Sequence, residues 1–150
     1  MKNARYGVLI LSLALSLVFG CAEEQKLVLS EAKLEGSITY KGKPVPYALV
    51  IVSVDVKGAG SGSGASGFAD KSGKYVVDNV PTGPVKLAVN TDAGRGNMMG
   101  ASMAAAQGGD KSAAPVFIDV PKKFFDPSTS GISTRIDDPK GTTSFDIKLN

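Results

Sequence analysis

Cys21 is the single cysteine in a 150-residue chain that contains no histidine. Those two facts narrow the available chemistry. A disulfide within the chain needs a second cysteine, and a serine or cysteine nucleophile needs a base that is usually an imidazole. Ser and Thr are plentiful, but no Ser-x-x-Lys sits at a helix start, where a serine–lysine pair would be expected. The adjacent carboxylates Asp137 and Asp138 lack the D-x-D-x-D-G ladder of a calcium loop and read as a solvated turn.

Three further groupings invite a ligand. Gly62-Ser63-Gly64-Ala65-Ser66-Gly67 matches G-x-G-x-x-G and comes after a strand-like run. A dinucleotide site also needs a helix directly after it to hold the pyrophosphate. The next segment here, "FADKSGKYVV", is hairpin-like, so a flexible inter-strand loop is expected. Met98, Met99 and Met103 could offer soft thioethers to Cu(I), but no histidine or second cysteine supports a site. Their spacing also suits a short helix lying over a sheet. The stretch "KKFFDPSTSG" is the surface candidate: on a strand Phe124 and Phe125 would face opposite ways, one buried and one beside Lys122, Lys123 and Asp126. Packing of a terminal loop and a partner-binding spot are both readings of it. No cofactor or metal is expected.

The elements that must position these residues begin with a leader. Residues 1 to 20 have a basic start, an apolar core and a small residue before Cys21, the parts of a secretory signal. The uncharged stretch 7–19 spans only about 20 Å as a helix, short of the roughly 30 Å hydrocarbon core, so export fits better than a permanent transmembrane span. It has no polar face for a buried amphipathic helix. The pI near 9.0 owes much to this leader. Without Lys2 and Arg5 the chain carries 15 basic residues against 14 acidic ones, and no basic stripe with interleaved aromatics remains to suggest nucleic acid.

After a polar tether over 21–33, the period becomes that of strands. "LEGSITY", "VPYALVIVSVDV", "GKYVVDNV", "VKLAVNTD", "PVFIDV", "GISTRID" and "TSFDIKL" alternate or carry β-branched runs between turn signals. Asp70 and Gly73 suit the ends of a tight turn, Gly42 and Gly73 suit positive φ, and Pro44 and Pro46 stiffen a strand entry. Such spacing predicts an all-β domain over 34–150, an antiparallel β-sandwich of about seven strands, interrupted by a Gly/Ala/Met-rich insert at 92–114. The expected core is Leu34, Ile38, Ala48, Val50, Val52, Tyr75, Val77, Leu87, Val89, Ile136, Phe145, Ile147 and Leu149.

Two resemblances bear on these segments. Val18-Phe19-Gly20-Cys21 resembles a bacterial lipobox. This implies a lipoprotein signal peptide over 1–20, cleavage before Cys21, a diacylglyceryl group on its thiol and an acylated amine of the palmitate type. Two or three acyl chains suffice for stable membrane anchoring, where one would be marginal. "EGSITYKGKPVPYALVIV" and "DKSGKYVVDNVPTGPVKLAV" resemble transthyretin-like (prealbumin-like), carboxypeptidase-regulatory-like domains, and "VPKKFFDPSTSGISTRI" with "TSFDIKL" is similar to the tail of small planctomycete-type lipoproteins. The transthyretin fold also hosts a hydroxyisourate hydrolase, whose site depends on histidines and a C-terminal Tyr-Arg-Gly-Ser; this chain has no histidine and ends "FDIKLN". The expectation is therefore a non-catalytic, lipid-anchored module of the cell envelope, structural or adhesive. The alternative is a binding module for carbohydrate or another envelope protein. The membrane is the partner implied by the N-terminal lipid, and no nucleic acid is expected.

Overall fold

The computed structural model describes residues 30–54, 64–107 and 116–150. The strands are β1 (Lys33–Tyr40), β2 (Lys43–Pro44), β3 (Leu49–Val54), β4 (Gly64–Phe68), β5 (Lys74–Val77), β6 (Gly83–Asn90), β7 (Ile132–Ile136), β8 (Thr142–Ser144) and β9 (Ile147–Leu149). A helix, α1 (Thr91–Ala106), comes directly after β6, and a 3-10 turn covers Lys122–Phe124. The strands form a five-stranded sheet around β1 and a four-stranded sheet in the order β4-β3-β6-β7.

Apolar residues at alternate positions explain why these segments extend and face each other. Leu34 and Ile38 from one sheet and Val50, Val52, Leu87 and Val89 from the other are fully buried in one cluster. Burying each such side chain contributes about 1.5–3 kcal/mol, so a sandwich can hold without a disulfide. Of the thirteen expected core residues only Phe145 is not fully buried; it packs half-exposed against the cluster. Val45, Val80, Val85, Val120 and Phe124 complete the interior.

β1 is the organising strand. β5 and β8 both pair with Leu34 and Glu35, so they lie on opposite edges of β1; β2 and β9 likewise flank Thr39 and Tyr40. The handover from β5 to β2 falls at Ile38, whose N–H donates to the Gly73 carbonyl at 2.8 Å and whose carbonyl accepts from Val45 N–H at 2.9 Å. The β1–β2 connection is the two-residue turn Lys41–Gly42, both at positive φ (49° and 78°), the geometry that matches strand twist in tight hairpins.

Four features differ from the sequence-based expectation, the first being that residues 116–120 of "PVFIDV", read as a strand, form none. The sheets are mostly antiparallel, but β8 and β9 run parallel to β1. A parallel pair of consecutive strands needs a crossover, whereas the first and last strands meet through the whole intervening domain. The single terminal strand expected over "SFDIKL" is two short strands with a break at Phe145–Asp146. The glycine-rich stretch expected as a loop contributes β4, an edge strand paired with β3 from Leu49↔Phe68 to Ser53↔Gly64. At Gly67 a Cβ would strike the Val76 carbonyl, so a bare backbone is what lets β4 pass close to β5.

Part of the stretch expected as a tether packs onto the sandwich. Ser30 and Ala32 are buried, and Ser30 Oγ donates to the Pro139 carbonyl at 2.9 Å while accepting from Ala32 N–H at 3.0 Å. The chain thus enters beside the 137–141 loop, at the opposite end of β1 from the Lys41–Gly42 turn. Eight residues of strand place these two poles more than about 20 Å apart.

Candidate functional site

At the far pole a groove of about 870 Å³ opens between three segments. The β1–β2 hairpin supplies Tyr40, Lys41, Lys43 and Pro44, with Pro46 just beyond; the β4–β5 turn supplies Lys71 and Ser72; residues 116–118 close the third side. Each segment is held from beneath. Asp70 Oδ1 accepts from Ser72 N–H and Ser72 Oγ, both at 2.7 Å, and from Lys74 N–H at 3.0 Å, which fixes the turn carrying Lys71. The Ser72 hydroxyl, with help from the Lys74 and Ser72 backbone N–H groups, holds the Asp70 carboxyl below its ordinary range despite some desolvation. Lys41 N–H donates to the Leu149 carbonyl at 3.1 Å, tying the hairpin tip to β9.

The third side depends on α1. Asn90 caps the helix, its Oδ1 accepting from Ala93 N–H at 3.0 Å. Gly94 is buried where a Cβ would strike the Tyr47 carbonyl, so the first turn lies directly on the chain entering β3. Arg95, bonded to Asp92 at 3.1 Å, stacks its guanidinium 4.1 Å from the centre of the Phe117 ring. The helix therefore positions Phe117 at the groove.

The electrostatics of the groove are one-sided. Lys41, Lys43 and Lys71 are exposed and have no carboxylate partner among the described residues, whereas Lys33 pairs with Asp78 at 2.7 Å, Arg95 with Asp92 and Arg135 with Asp137. Lys41 Nζ stands 5.2 Å from the centre of the Tyr40 ring. The groove thus combines lysine ammonium groups with apolar rings, one of them, Lys41, close to the Tyr40 ring.

The structure separates the other candidates. Cys21 lies outside the described residues. Phe124 and Phe125 sit at a 3-10 turn, not on a strand, so they do not alternate: Phe124 is buried and Phe125 packs half-buried against the core. Lys122, Lys123 and Asp126 are exposed, with Lys123 Nζ 4.6 Å from the Phe124 ring centre. Asp126 is occupied within its own loop: its Oδ1 accepts from Ser128 N–H at 2.7 Å and Ser128 Oγ at 2.6 Å, hydrogen bonds that keep its carboxyl below the ordinary range. Ser130, also in this loop, is buried and donates to the Leu87 carbonyl. The "DPSTSG" stretch is thus bound into the sandwich.

Gly62 and Ser63 lie outside the described residues, and the rest of the G-x-G-x-x-G match is β4, with no helix after it. Met99 and Met103 are exposed on α1. Asp137 pairs with Arg135 at 2.6 Å, and Asp138 Oδ1 accepts from Lys140 N–H at 2.9 Å. Ser30 and Lys33 have serine–lysine spacing at the start of β1, but the hydroxyl serves Pro139 and the ammonium serves Asp78. Among the described residues no three His, Cys, Asp or Glu side chains gather as metal ligands, and no helix is long and apolar enough to cross a membrane.

No family model and no curated protein matches the chain. Among solved structures it is similar to a DUF3823 family protein from Parabacteroides merdae, at 14% identity and a TM-score of 0.43. The match covers 82% of this chain and 47% of that one, so this chain spans about half the length of the protein it matches.

Sequence reasoning did not find the groove. Its residues come from three segments about twenty-five residues or more apart, two of which read alone as turns and the third, in "PVFIDV", as a strand. The available signal was the density of lysines in "YKGKPVP" and "DKSGK", turns that carry more cations than a bend requires.

Proposed function

We propose that the chain is a non-catalytic, lipid-anchored module of the cell envelope, adhesive or structural in role, that presents its groove away from the membrane. The observation that carries this reading is the opposition of the two poles. The chain enters the domain at Ser30, beside Pro139–Gly141, and the groove lies at the other end of β1. A tether from an acylated Cys21 would therefore leave Tyr40, Lys41, Lys43 and Lys71 outermost.

The non-catalytic part of the reading draws on how the polar groups are used. The carboxylates held below their ordinary range, Asp70, Asp126 and Asp146, each take hydrogen bonds from a serine in or beside a turn or strand break. The buried phenol of Tyr75 serves a backbone carbonyl. Hydrogen bonds that hold turns and a strand break account for the lowered carboxyls, which supports the non-catalytic reading.

A second reading, a binding module for carbohydrate or another envelope protein, draws on the same groove, because a concave surface with ring faces and unpaired cations is built for contact. Crosslinking the native protein in its own envelope tests both. A specific adduct is expected; a monomer that captures nothing specific would remove the support for an adhesive or binding role.

A further inference from the structure

The groove's chemistry selects among possible contacts, provided that the groove is the adhesive surface, as the preceding reading has it. Three ammonium groups, Lys41, Lys43 and Lys71, converge on one concavity with no carboxylate among the described residues to neutralise them. This is not a general basic character: residues 21 to 150 carry 15 cations against 14 anions. Like charges gathered around one groove repel, and an external anion relieves that repulsion.

Between the cations the lining includes apolar rings. Tyr40, Pro44, Pro46 and Phe117 line it, with Lys41 Nζ 5.2 Å from the centre of the Tyr40 ring and the Arg95 guanidinium already stacked on Phe117. A sugar ring carrying a carboxylate matches both features, its C–H face on an aromatic or proline ring and its anion on an ammonium. The volume of about 870 Å³ lies toward the upper end of small-ligand pockets, which run to roughly 1,000 Å³.

An acidic peptide fits less well, because the strand bordering the groove cannot be extended. β2 is Lys43–Pro44; Pro44 and Pro46 have no N–H, and the N–H of Val45 is already given to Ile38. Strand addition, the usual way a sheet edge gains affinity for a peptide, has no donor ladder to use here. We propose that the groove binds a polyanionic glycan, with uronate carboxylates on Lys41, Lys43 and Lys71 and a sugar face on Tyr40.

The test uses full-length protein in detergent and polygalacturonate as the probe, with affinity read by retardation in polygalacturonate-containing gels. Binding that weakens with salt is expected. The triple variant Lys41→Ala/Lys43→Ala/Lys71→Ala should lose about tenfold or more, and Tyr40→Ala several-fold, while Lys122→Ala/Lys123→Ala binds as the parent does. Poly-L-glutamate of matched charge should bind about tenfold more weakly than polygalacturonate. All five lysines are exposed, and unchanged thermal unfolding verifies that the variants fold. No binding, an unaffected triple variant, an equal loss in the Lys122/Lys123 variant or equal affinity for poly-L-glutamate would each overturn the proposal. The adhesive reading would then stand or fall separately, on whether crosslinks in the envelope originate at the groove.

Discussion

The Tyr75 hydroxyl donates to the Phe145 carbonyl at 2.6 Å, reaching from β5 across β1 to the far strand. It crosses at Gly36, which pairs with Tyr75 and where any Cβ would collide with Phe145 backbone atoms and crowd the tyrosine ring. One side chain thus spans three strands, and the break between β8 and β9 is where it lands. The register survives the break. Partners of β1 are offset by 109 residues on both sides, as in Glu35↔Ser144 and Ile38↔Ile147, because Asp146 Oδ1 takes the Ser37 N–H at 2.9 Å and Ser37 Oγ at 2.7 Å.

Removing the hydroxyl in Tyr75→Phe should cost about 1–2 kcal/mol in denaturant unfolding, the worth of a hydrogen bond whose loss leaves a carbonyl poorly satisfied. The pH dependence is the sharper readout. Burial, then the nearby Asp146 carboxylate, raises the Tyr75 pKa. The folded state holds the proton where the unfolded chain releases it, so this contribution is constant below about pH 10 and lost as pH rises beyond it. The parent should lose stability through that window more steeply than Tyr75→Phe; identical alkaline slopes would contradict the burial of this phenol.

Gly36→Ala should be more damaging than Tyr75→Phe, because the added methyl meets backbone that cannot rotate away. A loss of about 2 kcal/mol or more is expected in chemical unfolding. Hydrogen exchange should locate the damage in β8 and β9, with β3 and β6 far less affected.

Much of this fold was legible in the sequence. The two-residue period put Leu34, Ile38, Val50, Val52, Leu87 and Val89 in the core, and "DKSG" announced its turn, because alternation and turn chemistry are local. What failed was non-local. Nothing near residues 33–40 or 142–149 announces that they pair in parallel, since their partners lie more than a hundred residues away. β4 was hidden for a different reason: glycine at Gly67 reads as flexibility, but here it clears the Val76 carbonyl. Phe124 and Phe125 mislead because the alternation of a strand does not apply to a segment that turns. The groove, assembled from Tyr40 to Pro46, Lys71 and Phe117, needed the fold before it existed at all.

The helix offers a local test. Asn90→Ala removes the cap on α1 and should cost the helix about 1 kcal/mol. The loss should appear as faster amide exchange in residues 93–103, and cooperative unfolding of the sandwich should move less, since α1 touches the sheets mainly at its first turns. Loosened α1 should also weaken groove binding, through the Arg95–Phe117 stack.

On the acid side, Asp146→Asn tests the bridge at the strand break. The Ser37 hydroxyl, then its N–H, lowers the Asp146 pKa. A lowered folded pKa means stability that is present above about pH 4 and lost as pH falls through the folded value. Asp146→Asn should flatten part of the acid limb of the stability profile, and an unchanged limb would count against the Ser37–Asp146 pairing.

The anchor is tested at Cys21. Cys21→Ser should move the protein from the membrane fraction to the soluble one, with loss of acyl mass from the N-terminus; unchanged fractionation with no acyl group on Cys21 would end the lipid-anchor reading.

The central claim, that this domain works by contact through the pole opposite its entry point, is tested most directly by position-specific crosslinking in the native envelope. A photo-crosslinking residue is placed at Ser72, in the groove, and separately at Thr142, exposed near the entry pole. A defined envelope adduct from Ser72 and none from Thr142 is expected. Equal yields from the two sites, or no adduct from a folded Ser72 variant, would contradict the claim.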